Sequence, residues 1–258
     1  MTPDTVEVAF ITPRHLAGGG DPAWITVPLH RACGWTYDDD PLMPRVVLTS
    51  PDKTSVLRLE PHTDGQWWVL HHFAHGGRPA WYASFGARTP VEIIAGFVDA
   101  LTDPAAPRTG PSDPFEPLRR QSWEPAPGAV GLVSPDGTTR MERLVDEADP
   151  GAWFVTTTLG PEHLVWQARF GENTPPHLIE AFATALTEPR PVWRTNGALG
   201  LPTLDPKFIN RGVEDVLAAN VAGALAGRVE SLSNRQHDAP PVRPNPPEPP
   251  APRASHRR

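Results

Sequence analysis

Trp81-Tyr-Ala-Ser-Phe-Gly-Ala-Arg-Thr-Pro90 runs on through Val91-Glu-Ile-Ile-Ala-Gly-Phe-Val-Asp-Ala-Leu-Thr-Asp-Pro104 and returns 85 residues later, as Trp166-Gln-Ala-Arg-Phe-Gly-Glu-Asn-Thr-Pro175 and on to Pro189. Of these 24 ungapped positions 12 are identical, which marks a duplication. A residue kept in both copies serves the architecture that both share. The kept residues are aromatic, small or turn-forming, and no acid, base, nucleophile or metal ligand recurs among them. The repeat therefore predicts a fold plan and gives no catalytic, cofactor-binding or metal-binding residue.

Within the repeat, Trp81, Ala83 and Phe85 alternate with Tyr82 and Ser84, as Trp166, Ala168 and Phe170 alternate with Gln167 and Arg169. That period of two predicts a strand with its aromatics on one buried face. Gly86 and Gly171 end the strands, and Thr89-Pro90 and Thr174-Pro175 predict a helix N-cap followed by proline at the first helical position. Glu92 stands at capping-box spacing from Thr89, but its counterpart is His177, so it reads as a local cap partner. Ile93, Ile94, Phe97 and Leu101, matched by Leu178, Ile179, Phe182 and Leu186, form the helix's core stripe.

Upstream, Ser50-Pro-Asp-Lys53 and Ser134-Pro-Asp-Gly137 each separate two β-prone runs and read as hairpin turns. Trp67–Phe73 matches 152–158 as a further strand. The predicted class is α+β, with two tandem modules, each an antiparallel sheet of about four strands closed by its C-terminal helix. The predicted segments are an N-terminal extension with short strands (1–34), the first repeat (35–104), a Pro/Gly/Ser/Asp-rich linker (105–116), the second repeat (117–190), a loop and amphipathic helix (191–232) and a Pro-rich tail (233–258). Val6–Ile11 and Trp24–Pro28 read as the short strands, and Gly212–Arg228 as the extra helix, with Val213, Val216, Leu217, Val221, Leu225 and Val229 on one stripe. The expected arrangement is two beads on a short tether, side by side about a pseudo-two-fold axis. The tail carries no large apolar residue beyond Val242 and is expected to be disordered, with polyproline II character.

The chain of 258 residues has 39% apolar residues and 34 prolines, so part of its length lies outside a packed core. Only Lys53 and Lys207 are lysines, a bias of GC-rich coding. A net charge of −7, with no basic block before position 250, disfavours nucleic acid. No stretch of about 18 apolar residues and no signal-like N-terminus is present, so a soluble cytoplasmic protein with no membrane partner is expected. The single Cys33 fits a reducing compartment.

The Ser-Pro-Asp turn, the Trp-x-Ala-x-Phe-Gly-x-x-Thr-Pro junction and the duplication together resemble the SPDY domain family, an actinobacterial domain of unknown function that usually occurs in two tandem copies. The likeness covers roughly 35–190. Lys53 and Gly137 stand where the namesake motif has Tyr, a departure without consequence if the motif is a turn. The resemblance implies no activity, cofactor or catalytic residue.

His71, His72 and His75 have a metal-like look, but alternation puts His71 and His72 on opposite faces, and neither cysteine nor a nearby carboxylate completes a set. Asp38, Asp39 and Asp40 lack the spacing of a calcium loop and read as a solvated loop. Gly18–Gly20 lacks the Lys-Ser/Thr of a phosphate loop. Trp35, Trp68 and Trp81 have partners in Trp123, Trp153 and Trp166 and read as structural; Trp24, Trp67 and Trp193 are unmatched. Trp67 points away from Trp68, onto a second face expected to pack against the sister repeat, the C-terminal helix or a partner.

These residues point to a non-catalytic binding or adaptor protein with an unidentified protein partner. The expected interaction surface comprises Trp67, His71, His75 and Trp193, with the tail through Val242, Pro244 and Pro247. The tail reads equally as a solvated extension. One alternative is a small-molecule binder or enzyme with a site between the repeats, near Trp67, His71, His75 and Asp38–Asp40. A second is a single-stranded nucleic-acid binder, and the oligomeric state stays open.

Overall fold

In a computed structural model of the chain, which describes residues 4–38, 45–105, 112–144, 151–195, 197 and 199–238, the N-terminal segment forms β1 (Thr5–Thr12), a 3-10 turn (Arg14–Leu16) and α1 (Ala23–Arg31). The first half continues with β2 (Thr36–Asp38), β3 (Val46–Thr49), β4 (Ser55–Leu59), β5 (Gln66–His72), β6 (Trp81–Gly86) and α2 (Val91–Thr102). The second has α3 (Glu116–Arg120), β7 (Glu124–Pro125), β8 (Val130–Val133), β9 (Thr139–Arg143), β10 (Trp153–Thr158), β11 (Leu164–Phe170) and α4 (Pro176–Leu186). The described chain closes with β12 (Val192–Arg194), β13 (Asn210–Leu217) and α5 (Ala218–His237). The result is a mixed α and β protein with antiparallel sheets.

The halves do not form two beads. Their strands make one ten-stranded antiparallel sheet in the order β2-β3-β4-β5-β6-β11-β10-β9-β8-β7, joined where Ala83, Ser84 and Phe85 pair with Phe170, Arg169 and Ala168. Strand alternation puts Trp81, Ala83 and Phe85, and Trp166, Ala168 and Phe170, on the inner face, where α2 and α4 lie. The duplicated phenylalanines meet across the seam. Phe85 stacks on Phe182 at 5.7 Å and Phe170 on Phe97 at 5.5 Å, while Phe85–Phe97 and Phe170–Phe182 meet edge-on at 5.7 and 5.1 Å. Each helix therefore covers its own strand and its sister's, and the repeated side chains form the contact between copies. A Cβ on Gly96 would come within 2.5 Å of the Ala185 Cβ, so glycine is what lets α2 and α4 approach this closely.

All six matched tryptophans are buried, as their duplication predicts. A second, three-stranded sheet has the order β12-β1-β13 and its own small core around Ile11, Leu16 and Val192.

Four local expectations are corrected. Trp24–Pro28 lies in α1, started by the Asp21 side chain accepting from the Ala23 N–H at 2.9 Å. Pro28 has no N–H to give the Trp24 carbonyl, and the Arg228 Nε donates to that oxygen instead, at 2.9 Å. Gly212–Leu217 is strand, not helix, because the edge of β1 offers eight residues of pairing to a segment containing glycine and two valines; the helix begins at Ala218. At the start of α2 the cap residue is Pro90 without a side-chain cap, the Val91 N–H donates to Gly19 O at 2.8 Å, and Glu92 reaches away to Arg194. The fourth concerns the outer sheet face, which neither the sister copy nor α5 covers: Trp67 is 41% and Tyr82 42% exposed.

Candidate functional site

The Ser-Pro-Asp segments are built identically in both halves. Asp52 Oδ1 accepts from the Ser50 hydroxyl at 2.6 Å, the Thr54 N–H at 3.1 Å and the Thr54 hydroxyl at 2.9 Å, while the Ser55 N–H donates to Ser50 Oγ at 2.9 Å. Asp136, Ser134, Thr138 and Thr139 repeat these contacts within 0.1 Å. The aspartate organises the turn that sets each hairpin's register. The fourth residue takes left-handed backbone, with φ 59° at Lys53 and 71° at Gly137, and closes the turn through its N–H, which donates to Ser50 O at 2.9 Å and Ser134 O at 2.8 Å, while the exposed Lys53 side chain takes no part in these bonds. The second copy has one addition: His15 Nε2 lies 2.9 Å from both Asp136 Oδ2 and Thr138 Oγ1.

Burial alone would raise the Asp136 carboxyl, but the hydrogen bond and charge of His15, with the Ser134 hydroxyl and Thr138 amide, outweigh it and hold the group well below the usual carboxylate range. A depressed carboxyl contributes stability above its ordinary pKa, near 4, and loses it as pH falls towards the folded-state value. Asp136→Asn is expected to cost about 1–3 kcal/mol at neutral pH. In urea melts the gap to wild type should narrow as the buffer is taken below about pH 4.

Helices α2 and α4, with α1, β1, β12 and α5, enclose a groove of about 1390 Å³ on the inner side of the sheet. Its floor is Ala95, Gly96, Ala181 and Ala185, its apolar walls Trp24, Phe10, Trp193, Val221 and Leu225. Phe10 and Trp193 meet edge-on at 5.5 Å, and the Arg228 guanidinium lies 5.3 Å from the Trp24 ring centre. Three ion pairs stand at the rim: Arg228 donates to both Asp99 oxygens at 3.0 and 2.7 Å, Arg194 to both Glu92 oxygens at 2.7 and 3.0 Å, and Arg190 to Glu188. Burial lowers the Arg14 pKa despite the nearby Glu92 and Glu188, and its buried Nε has no partner among the described residues.

The anticipated surface divides between the two sides of the sheet. Trp67 and His71 lie on the outer face, with His71 opposite Tyr82 and Val56. His75 sits in the exposed β5–β6 turn and pairs with Arg78. His72 points inward, stacks on Trp81 at 5.1 Å and lies 2.8 Å from the Ser55 hydroxyl. Trp193 lines the groove on the opposite side. Burial pushes the His71 and His72 pKa values down. Among the described residues no three His, Cys, Asp or Glu side chains are placed to hold a metal ion, and no helix is long and apolar enough to cross a membrane. Val242, Pro244, Pro247, Asp39 and Asp40 lie outside the described residues. The expected site between repeats exists only in the sense that α2 and α4 both line the groove; Trp67, His71, His75 and Asp38 are not part of it.

Two aspartate-pinned hairpins, each followed by a Trp-x-Ala-x-Phe-Gly strand and a Thr-Pro helix start, coincide with two matches to one family, at residues 49–107 and 133–192: SPDY, a domain of unknown function (DUF317). The chain carries two tandem SPDY domains. The boundaries of each SPDY match fall just before its hairpin turn and just after its helix, so the matched unit holds the pinned turn, the seam strand and the covering helix. No curated protein and no solved structure matches the chain. Sequence reading missed Arg194, His15 and Tyr82. A signal existed for the first, since Glu92 is a charge in the repeat with no charged counterpart and so needs a partner outside it.

Proposed function

We propose that the chain is a non-catalytic binding or adaptor protein acting in the cytoplasm, in which the two SPDY domains, each read as a sheet-plus-helix module, present the outer face of their joint sheet to a protein partner. The observation that carries this reading is the exposure of Trp67 and Tyr82 on strands at the centre of a ten-stranded sheet. Large aromatic side chains left on one open face are how a partner surface is built, since they bury much apolar area at low cost in rotamer entropy. The Pro-rich tail, which follows α5, offers a second point of attachment by polyproline recognition.

The test is quantitative capture from host lysate with full-length protein, the Trp67→Ala/Tyr82→Ala variant and a chain ending at Asp238. Truncation at Asp238 spares β13 and α5, which belong to the fold. Trp67 and Tyr82 are each more than half covered, so far-UV circular dichroism and a urea melt first establish that the double variant is folded, and loss of a captured partner by the folded variant then reports on binding. Capture lost with the double variant supports the face, and capture lost on truncation supports the tail. A partner held equally by all three versions, or none by any, removes the proposal.

The second reading, a small-molecule site, rests on the groove. Its volume exceeds the roughly 300–1,000 Å³ of ordinary ligand sites, and three of its lining carboxylates, Glu92, Asp99 and Glu188, are paired with arginines, which suits an extended apolar segment better than a compact polar metabolite. Single-stranded nucleic acid is the third reading. Of the outer-face arginines, Arg140 and Arg169 are bonded to Glu142 and Asp64, and Arg58 beside His71 is too small a remainder to make a positive track for stacked bases.

A further inference from the structure

β13 is the edge of the three-stranded sheet, paired along all eight residues with β1 on one side and with no strand of the described residues on the other. Among the described residues it has no proline, lysine or bulge to block pairing, and its only edge protection is the charge of Arg211, Glu214 and Asp215, which guards against a partner of the wrong charge pattern and not against one that matches it. Seven of its eight residues are exposed, Val213 by 42%.

The free edge has a defined hydrogen-bonding phase. The Ala218 N–H donates to Asp4 O, in register with the β1–β13 ladder, so the even-numbered residues of β13 face β1 and the N–H and C=O groups of Arg211, Val213, Asp215 and Leu217 point outward. A two-fold axis through Val213 would pair Val213 with its own copy and Arg211 with the Asp215 of the second chain, twice, with every outward group in the overlap bonded. The same axis relieves a conflict within the chain. Asp215 lies directly opposite Glu7 on β1, two carboxylates on one face, and the second copy's Arg211 would come into that row. Moving the axis to Glu214 would set that residue against itself and lose both Arg–Asp pairs.

We propose that the protein self-associates through β13, edge to edge and antiparallel about Val213, into a two-fold dimer with a continuous six-stranded sheet. This surface is separate from the outer face of the large sheet and independent of its role.

Sedimentation velocity on the full chain tests the proposal. Wild type is expected to sediment as a dimer. Arg211→Asp and Asp215→Arg should each weaken association by about tenfold or more, because each opposes like charges twice, and the two together should restore it. Val213→Cys should cross-link two chains under mild oxidation while Glu214→Cys should not, since diagonal neighbours lie about 7–8 Å apart, beyond disulfide reach. Far-UV circular dichroism checks that every variant is folded. A monomeric wild type, a dimer indifferent to the single reversals, or a double reversal that stays dissociated overturns the proposal.

Discussion

Phe85→Ala and Phe170→Ala are each expected to lower the unfolding free energy by about 3–5 kcal/mol and to leave a single cooperative transition. Both side chains are fully buried, and each ring lies within 6 Å of three others: Phe85 meets Phe97, Phe170 and Phe182, and Phe170 meets Phe85, Phe97 and Phe182. Truncation at either position removes dispersion contacts from both α2 and α4 and opens a cavity at the seam. Close helix packing at Gly96 against Ala185 limits how far the site can collapse to fill it. The distinguishing readout is the shape of the transition. Two independent beads would melt in two steps, with the mutated copy going first, whereas a seam made of the repeated residues couples the halves. Denaturant melts followed by tryptophan fluorescence and by far-UV circular dichroism should therefore coincide for wild type and for both variants. A loss under 1 kcal/mol, or separate transitions, would show that the copies fold apart.

That coupling also shows what the sequence could and could not disclose. Alternation in Trp81-x-Ala-x-Phe85 and the Thr-Pro start made the seam strand and its helix legible, because both are local patterns set by backbone period and proline chemistry. The Ser-Pro-Asp turn was legible for the same reason. Self-similarity does not reveal whether a repeated apolar residue packs within its own copy or against its sister, and Phe85 and Phe170 do both. Gly212–Leu217 was misread because Val213, Val216 and Leu217 also fit a helical stripe continuing into Val221, and only the unpaired edge of β1 decides between strand and helix. Trp24–Pro28 failed in the opposite sense: β-prone residues and a proline form a helix because Arg228, two hundred residues later, supplies the missing hydrogen bond. The candidate sites were least legible. Exposure of Trp67 depends on which side of the sheet the helices take, and the groove requires four separate segments to converge.

Arg194 holds that convergence together, and Arg194→Ala is expected to cost about 3–5 kcal/mol. Its guanidinium is 7% exposed and makes five hydrogen bonds: to both Glu92 oxygens, to Ala17 O and Gly18 O at 2.9 Å each, and to Trp193 O at 2.8 Å. One side chain thus ties the strand after the second SPDY domain to the helix of the first and to the N-terminal segment. Its removal leaves Glu92 mostly buried without its counter-charge and the Ala17, Gly18 and Trp193 carbonyls without this donor, and that uncompensated burial dominates the expected loss. Lysine should recover only part of it, because a single ammonium cannot satisfy a bidentate carboxylate and three divergent carbonyls together. Glu92→Gln alone should cost less, since the amide still accepts one bond and the arginine keeps its carbonyl partners. A double-mutant cycle in urea with Arg194→Met and Glu92→Met separates these contributions: the double variant should be more stable than Arg194→Met, since deleting both charges removes the buried orphan. If the two losses simply add, the pair is not coupled, and the convergence of segments rests on the apolar contacts of Ile11, Leu16 and Val192 instead.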